Sequence, residues 1–532
     1  MTDSLDLATN LITRVNIGDA LTRTAGRMPD QLAVVDGERR FTYAELNDRV
    51  NRVANALTDR GYTRGDVLGL ASGNSCEFLV TYFACAKLGL VCVPMNLGWR
   101  PDEIAYVLDH SEARGLVVEA QLVAGVLPGV EKVPAVRDVI VAYGTDGGYE
   151  QTLPDRAWLT LKDLHEAPST EPETFVGERD AISYLYTSGT TSFPKGVVGS
   201  HVAIYVESLM VAAETGIAAG DRIACLMPLF HTAQLNGFAT PAVMMGATQY
   251  LLRGFDGDAL LDLVEREQIT RMFALPMMYR ALVERPDIRE RDLSTLRKAA
   301  YAMAPMPDAL LRACLDVFGC DFYLAFGQTE MSPVTTFFRP EHQLSHPGAV
   351  GTQVANVQIA IMSPDGRLLP RGEEGEIVYR GPHALNGYLK NPQATAEAFA
   401  HGWFHSGDVG RLDADGMLWF GDRYKDVIKT GGENVASIEV EKAVYATSPD
   451  IAEVVVVGLP HERWTEAITA VVVAKPGVAL DAEALRQAIG EHVDRYKVPK
   501  AVIVVDELPK TSTGKIQKNL VRQQFATHYD AK

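Results

Sequence analysis

The stretch VLGLASGNSCEFLVTYFACAKLGLVCVP, Val67–Pro94, decides the fold class. Val67–Leu70 and Leu90–Pro94 are short apolar runs of buried-strand type. Phe78–Leu88 between them has the length and apolar content of a crossover helix, so the three form a parallel βαβ unit. Outward from there the pattern repeats. Phe41–Asp59 opens with Thr42 three residues before Glu45, the spacing of a capping box, and then sets Leu46, Val50, Val53, Ala54 and Leu57 on one helical face. Gly254–Gln268 and Arg271–Leu275 give helix then strand again. The long first part therefore reads as α/β, with parallel sheets flanked by helices.

The character changes after about Asp422. Ser437–Ala446 reads as a helix with Ser437 as its N-cap, Glu453–Gly458 and Ala467–Lys475 as strands, Ala482–His492 as a helix and Ala501–Val505 as a strand. That is an α+β module of domain size, roughly 110 residues. Gly421–Gly432, dense in charge and glycine, joins the two parts as a hinge could. The expected division is a large domain over 1–424 and a small mobile C-terminal domain over 425–532. The residues from about Gln523 read as a frayed tail.

Composition narrows the function classes. The chain has 532 residues, 47% hydrophobic and 22% charged, the balance of a globular protein that needs no covalent staples. Fifty Lys and Arg against 68 Asp and Glu leave a formal net charge of −18. That argues against a general nucleic-acid binder, while leaving room for a local basic pocket. The six cysteines, Cys76, Cys85, Cys92, Cys225, Cys314 and Cys320, have no C-x-x-C spacing and no histidine cluster, so neither a disulfide framework nor a zinc site is expected. The first residues do not have the pattern of a signal peptide, and no apolar run approaches the ~20 residues of a membrane span. A cytoplasmic location is expected.

The densest chemical signal is Tyr186-Thr187-Ser188-Gly189-Thr190-Thr191-Ser192-Phe193-Pro194-Lys195-Gly196, directly after the apolar strand candidate Ala181–Leu185. Glycine lets backbone N–H groups converge, hydroxyls donate to phosphate oxygens, and Lys195 supplies charge. The register of a Walker A loop is absent. Six further segments stand in order: Pro228-Leu229-Phe230-His231, Ala325-Phe326-Gly327-Gln328-Thr329-Glu330, Gly375–Gly381, Trp403–Asp408, Asp422–Asp426 and Pro509–Lys515. With these seven motifs in register the chain resembles the adenylate-forming superfamily of acyl-CoA synthetases, peptide-synthetase adenylation domains and luciferases, over nearly its whole length.

The resemblance implies a two-step ligase. A carboxylate attacks the α-phosphate of ATP to give an acyl-adenylate and pyrophosphate; a thiol, coenzyme A in the simplest case, then attacks the acyl carbon and AMP leaves. It implies Thr187, Ser188, Gly189, Thr190, Thr191 and Lys195 on the β/γ-phosphates, Thr329 on the α-phosphate, and Glu330 as ligand of Mg²⁺, a hard cation that takes carboxylate oxygen. Leu324, Ala325 and Phe326 resemble the adenine wall, and Met303 joins the cofactor-binding set. Asp408 is similar to the family's ribose-binding aspartate, with Arg423 beside it. Lys515 would serve the acyl carboxylate and α-phosphate, and Lys425 would be the pivot. Gly431 and Gly432 resemble the lining of the pantetheine tunnel, and Arg253 falls near a cation for the coenzyme A nucleotide. His231 falls at the acyl and thiol entrance, with an ordinary structural histidine as the equal alternative.

Three departures stand out: Ser192 where the family prefers glycine, Phe326 for tyrosine, and Ser406 for threonine; none removes a reactive group. The acyl pocket is expected to draw on Phe230–Thr240, Pro276–Tyr279, Ala302–Met306 and Gln328–Thr335, with Met277, Met278, Met303, Met306 and Met331 and few charges. Adaptable methionines favour a hydrophobic acid, a medium or long fatty chain first. An aryl or cyclic acid, an acyl-AMP ligase that loads a carrier protein, and a catalytically silent acyl- or nucleotide-binding protein stay open beside it. The expected partners are a small carboxylic acid, ATP and coenzyme A, with no nucleic acid and no transmembrane segment; a homodimer is left open.

Overall fold

Val67–Pro94 folds as strand Val67–Ala71, helix Cys76–Leu88 and strand Val91–Pro94, the strands parallel with Val67 opposite Val91 and Leu70 opposite Pro94. The Ser75 hydroxyl accepts the Phe78 N–H and caps the helix; Gly89, at φ 67°, ends it. Every residue of this helix is buried, which is why it has no polar face. Its one cation, Lys87, is satisfied by Asn47, Asn51 and Glu171 at 2.6–2.7 Å.

The structure is a computed structural model describing residues 2–142, 155–187, 194–304, 306–511 and 516–530. It divides into two compact units, Met1–Gln358 with Arg380–Phe404, and Ile359–Tyr379 with His405–Lys532. In the first unit, one sheet runs in the order Gly387–Tyr388, Lys195–Ser200, Ala181–Thr187, Val91–Pro94, Val67–Ala71, Ala113–Glu119, Asp138–Ala142 and Ala157–Thr160. From Ala181–Thr187 onward its neighbours are parallel; the first two strands run antiparallel to theirs. The second sheet is parallel through Thr248–Leu251, Arg222–Cys225, Arg271–Ala274, Lys298–Tyr301 and Asp321–Gly327, and antiparallel from there to Val334–Phe338 and Gly351–Gln353. The helix expected over Phe41–Asp59 begins at Tyr43 with the Thr42–Glu45 capping box formed.

In the second unit, a sheet is built on the long hairpin Ile451–His461 and Thr465–Ala474, with Ala501–Val505 parallel to the latter. Alternation sorts the first strand's side chains. Val454 and Val456 face a core with the helices Ser437–Thr447 and Ala482–Ile489; Val455, Val457 and Leu459 face a second core with Leu508 and Val521. Both faces are covered, so the strand reads as a continuous apolar run. Two expectations are corrected here. Ser437 is the first helical residue rather than the N-cap; its hydroxyl and N–H both go to the buried Asp422 carboxylate. The tail is not frayed: Phe525 and Tyr529 pack on the second core, and the Tyr529 hydroxyl meets Thr469 Oγ1 at 2.9 Å. Among the described residues no helix is long and apolar enough to cross a membrane.

Candidate functional site

In the first unit, the phosphate-loop segment leaves the sheet at Thr187 and re-enters at Lys195. The two residues are directly paired across antiparallel strands. Ser188, Gly189, Thr190 and Thr191 lie outside the described residues. The Lys195 ammonium stands 5.4 Å from the centre of the Tyr388 ring and has no carboxylate partner among the described residues.

Strand Asp321–Gly327 carries Leu324, Ala325 and Phe326 to its C-terminal end, where Leu324 is buried and the other two are half-buried. Gly327 then turns the chain back so tightly that a Cβ there would lie 1.9 Å from the Pro333 carbonyl oxygen, which only glycine permits. Gln328 N–H closes the turn on that same oxygen at 2.9 Å. The turn presents Thr329 and Glu330 in a short 3₁₀ segment, Thr329–Met331. Glu330 Oε1 accepts the Tyr388 hydroxyl at 3.1 Å, and its backbone oxygen accepts Leu385 N–H at 2.8 Å. Met303 follows strand Lys298–Tyr301 with φ 70°, a left-handed conformation that a side-chain-bearing residue holds only where its surroundings impose it.

His231 caps the short helix Thr232–Gln234, its Nδ1 accepting Ala233 N–H at 3.2 Å. A π-helical turn, Leu235–Ala239, comes next, a form concentrated at functional sites. Gln234 and Asn236 are buried there; both amide atoms of Gln234 and Oδ1 of Asn236 lack a hydrogen-bond partner among the described residues. Glu207, wholly buried on helix His201–Thr215, accepts Val334 N–H at 2.9 Å on one oxygen, and burial pushes its carboxyl well above the usual range. The methionines are less uniform than expected: Met331 is fully buried, whereas Met277 is 48% exposed. Arg253 pairs with Glu119 at 2.6 Å and with Asp36 at 3.7 Å.

In the second unit, Asp408 and Arg423 face each other across an antiparallel pair, Arg423 Nε lying 3.3 Å from Asp408 Oδ1. Ser406 Oγ accepts Asp408 N–H at 3.0 Å and donates to the Ile377 carbonyl at 2.6 Å, so the serine does a threonine's hydrogen bonding. Glu376 holds the turn from beneath, one oxygen accepting Gly407 N–H at 3.0 Å and the other meeting His405 Nδ1 at 2.7 Å. Lys425 is exposed beside Asp426, whose carboxylate pairs with Arg522 at 2.8 Å. Gly431 and Gly432 make the turn between Ile428–Thr430 and Glu433–Val435, and a Cβ on Gly431 would come 3.0 Å from the Trp464 ring. Arg463 and Lys500 each lie 4.7 Å from the Trp464 ring centre. Lys515 lies outside the described residues; Lys510 and Ile516 on either side of it are joined by a β-bridge.

Sequence reasoning missed Tyr388 beside Lys195 and Glu330 in the first unit, and Glu376 and Trp464 beside the Asp408 and Gly431 turns in the second. Glu376 was visible inside Gly375–Gly381 and Tyr388 just beyond it, but a lone tyrosine after glycine has no distinguishing spacing.

The comparisons with known proteins place the chain among ATP-dependent acid–thiol ligases. The chain belongs to the AMP-binding enzyme family: that family's sequence model matches residues 21–389, and the model for the AMP-binding enzyme C-terminal domain matches 439–515. It is 35% identical to indoleacetate–CoA ligase of Aromatoleum aromaticum, over 96% of this chain and 98% of that one. It is 32% identical to a long-chain-fatty-acid–CoA ligase of Mycobacterium tuberculosis, over 96% and 99%. The crystal structure of the anthranilate CoA ligase AuaEII in complex with anthranoyl-AMP superposes with a TM-score of 0.87 at 27% identity, covering 97% of this chain and 98% of that one. The protein is thus an AMP-forming acid–CoA ligase that uses ATP and coenzyme A.

Proposed function

We propose that the enzyme activates a hydrophobic acid, and that an acid carrying an aryl group suits it better than a plain fatty chain. The supporting observation is the buried amide of Gln234, with neither atom hydrogen-bonded among the described residues, beside the equally unpaired Oδ1 of Asn236, on the turn after Phe230-His231. An unpaired buried amide costs about 1–3 kcal/mol, which a substrate ring N–H or hydroxyl would offset and an alkyl chain would not. The indoleacetate and anthranilate ligases among its relatives support the same class, and the fatty-acid ligase keeps the alternative alive.

The residue roles we propose follow from charge and reach. Lys195, with no carboxylate partner among the described residues, takes the β/γ-phosphates together with Thr187 and the loop hydroxyls. Glu330 would hold Mg²⁺: one carboxylate oxygen accepts the Tyr388 hydroxyl and the other has no hydrogen-bond partner among the described residues, which fits a hard cation. Bound there, Mg²⁺ supplies charge neutralisation to the polyphosphate. Thr329 donates to the α-phosphate, Phe326 stacks on the adenine against Leu324, Ala325 and Met303, and Asp408 with Arg423 takes the ribose hydroxyls. Lys515 stabilises charge on the α-phosphate in the first step. In the second, Gly431 and Gly432 admit the pantetheine arm, His231 lies at the thiol entrance and Arg253 faces the coenzyme A nucleotide. The functional division falls at 425, with 1–424 and 425–532 on its two sides.

The test is a panel of aryl, indolyl and fatty acids with ATP, Mg²⁺ and coenzyme A, read by mass for AMP and thioester. Aryl or indolyl thioester at higher kcat/KM than any fatty acyl product is expected. ADP as product, or preference for a saturated fatty acid, refutes the reading.

A further inference from the structure

Tyr388 occupies a place prepared by the backbone on both sides. The two-residue strand Gly387–Tyr388 pairs antiparallel with Val197–Val198, just past Lys195. Leu389 N–H donates to Gly196 O, and Leu385 N–H donates to the carbonyl of Glu330, both at 2.8 Å. Tyr388 N–H is held by Thr395 Oγ1 at 2.9 Å. One short segment is therefore stitched to the phosphate-loop strand at one end and to the Glu330 turn at the other. From it, the Tyr388 side chain reaches both charges: its hydroxyl donates to Glu330 Oε1 at 3.1 Å, and its ring lies under the Lys195 ammonium at 5.4 Å.

We infer that Tyr388 is a positioning residue for ATP: its hydroxyl fixes the rotamer of Glu330 and its ring face fixes Lys195, so that one side chain aligns the anion that meets the metal and the cation that meets the phosphates. This rests on the roles proposed above for Glu330 and Lys195. A carboxylate held by one oxygen cannot spin about its terminal bond, and its second oxygen points in one direction. An ammonium over a ring face is held without a carboxylate, so its full charge stays available to an incoming phosphate. A lysine tied to an acidic partner would first have to break that pair.

Two variants separate the two contacts. Tyr388→Phe keeps the ring beneath Lys195 and deletes the donor; Tyr388→Leu deletes both. Each is compared with the wild type in the Mg²⁺ dependence of pyrophosphate exchange. The second measurement is Mn²⁺ affinity of the complex with a non-hydrolysable ATP analogue, read by water proton relaxation without turnover. In Tyr388→Phe the Mg²⁺ requirement should rise about 10-fold and Mn²⁺ affinity fall by the same factor, the low end for a hydrogen bond to a charged group. The KM for the acid should not move. Tyr388→Leu should lose about 3-fold more in analogue affinity. Saturating Mg²⁺ should restore Tyr388→Phe, which a merely destabilised fold would not allow. Wild-type metal dependence in Tyr388→Phe, or an acid KM that rises in step with the Mg²⁺ requirement, overturns the inference. The Mn²⁺ measurement stands apart from the substrate reading: a wild type that activates no acid on the panel defeats that reading, while an altered Mn²⁺ affinity in Tyr388→Phe still upholds the alignment.

Discussion

Acid should loosen the first unit through His201. This residue opens helix His201–Thr215 and is wholly buried, with Nδ1 accepting the N–H of Ile17 at 3.3 Å and Nε2 without a partner among the described residues. A proton on Nδ1 would break that bond, and a cation at a helix N-terminus faces the wrong end of the macrodipole. Burial pushes the imidazole down from 6.5 to about 4. The folded-state pKa is the lower one, so between those values the unfolded chain binds more protons. The stability His201 contributes is complete above pH 6.5 and is lost as pH falls toward 4. Over the whole window that is ~3 kcal/mol, of which ~2 kcal/mol has gone by pH 5. His383, also fully buried and pushed down to about 4 by burial, acts with the same sign. His165, pushed down to about 4 chiefly by burial, adds to it, while Glu207, raised by burial, acts with the opposite sign, so the wild-type pH curve mixes several groups. Comparison with His201→Asn isolates the one term. Urea unfolding at pH 7.5 and pH 5.0, followed by circular dichroism, should show the variant losing ~2 kcal/mol less than the wild type on acidification. Parallel losses in the two proteins would refute the assignment of a neutral, buried His201.

Three further outcomes are expected. Lys515→Ala should lose adenylation by ~10²–10⁴-fold yet still convert supplied acyl-AMP to thioester; equal loss in both half-reactions would break the proposed division of labour. Lys425→Pro, which fixes φ and removes an N–H, should retain pyrophosphate exchange and lose thioester formation, and unchanged turnover would place the pivot elsewhere. Gly327→Ala drives a methyl into the Pro333 carbonyl and should destabilise the first unit by about 3 kcal/mol and raise the KM for ATP, measured by urea unfolding and pyrophosphate exchange.

What the sequence made legible was local or repetitive. Val67–Pro94 and the Thr42–Glu45 box are recognisable because helix period and cap chemistry act within a few residues. Ala501–Val505 matches its strand to the residue, since both ends are set by polar flanks. The misreadings came from partners far along the chain. Ser437 has the chemistry of an N-cap, but Asp422, fifteen residues away, claims its hydroxyl and N–H. The tail has the composition of a frayed end, yet Tyr529 finds Thr469 sixty residues upstream. The same holds at the site: the glycines, hydroxyls and charges announce themselves by density, whereas Tyr388 matters only because folding sets it between Lys195 and Glu330.

The setting of Arg253 governs what can be learned by changing it. Its guanidinium pairs with Glu119 and Asp36, whose side chains are 2% and 3% exposed, and Asp36 is shared with Arg39, which in turn holds Glu77. Removing one partner from such a set strands a buried carboxylate, at a cost of about 3–5 kcal/mol. Arg253→Ala would therefore report the integrity of the sheet edge before it reported any contact with coenzyme A. The informative change is on the other side of the pair: Glu119→Gln leaves the guanidinium in place and slackens its tether, so a tighter grip on coenzyme A would mark an arginine held in reserve. Positions bound this way cannot drift one at a time; among relatives, a neutral residue at 253 should appear only where 119 has also lost its charge.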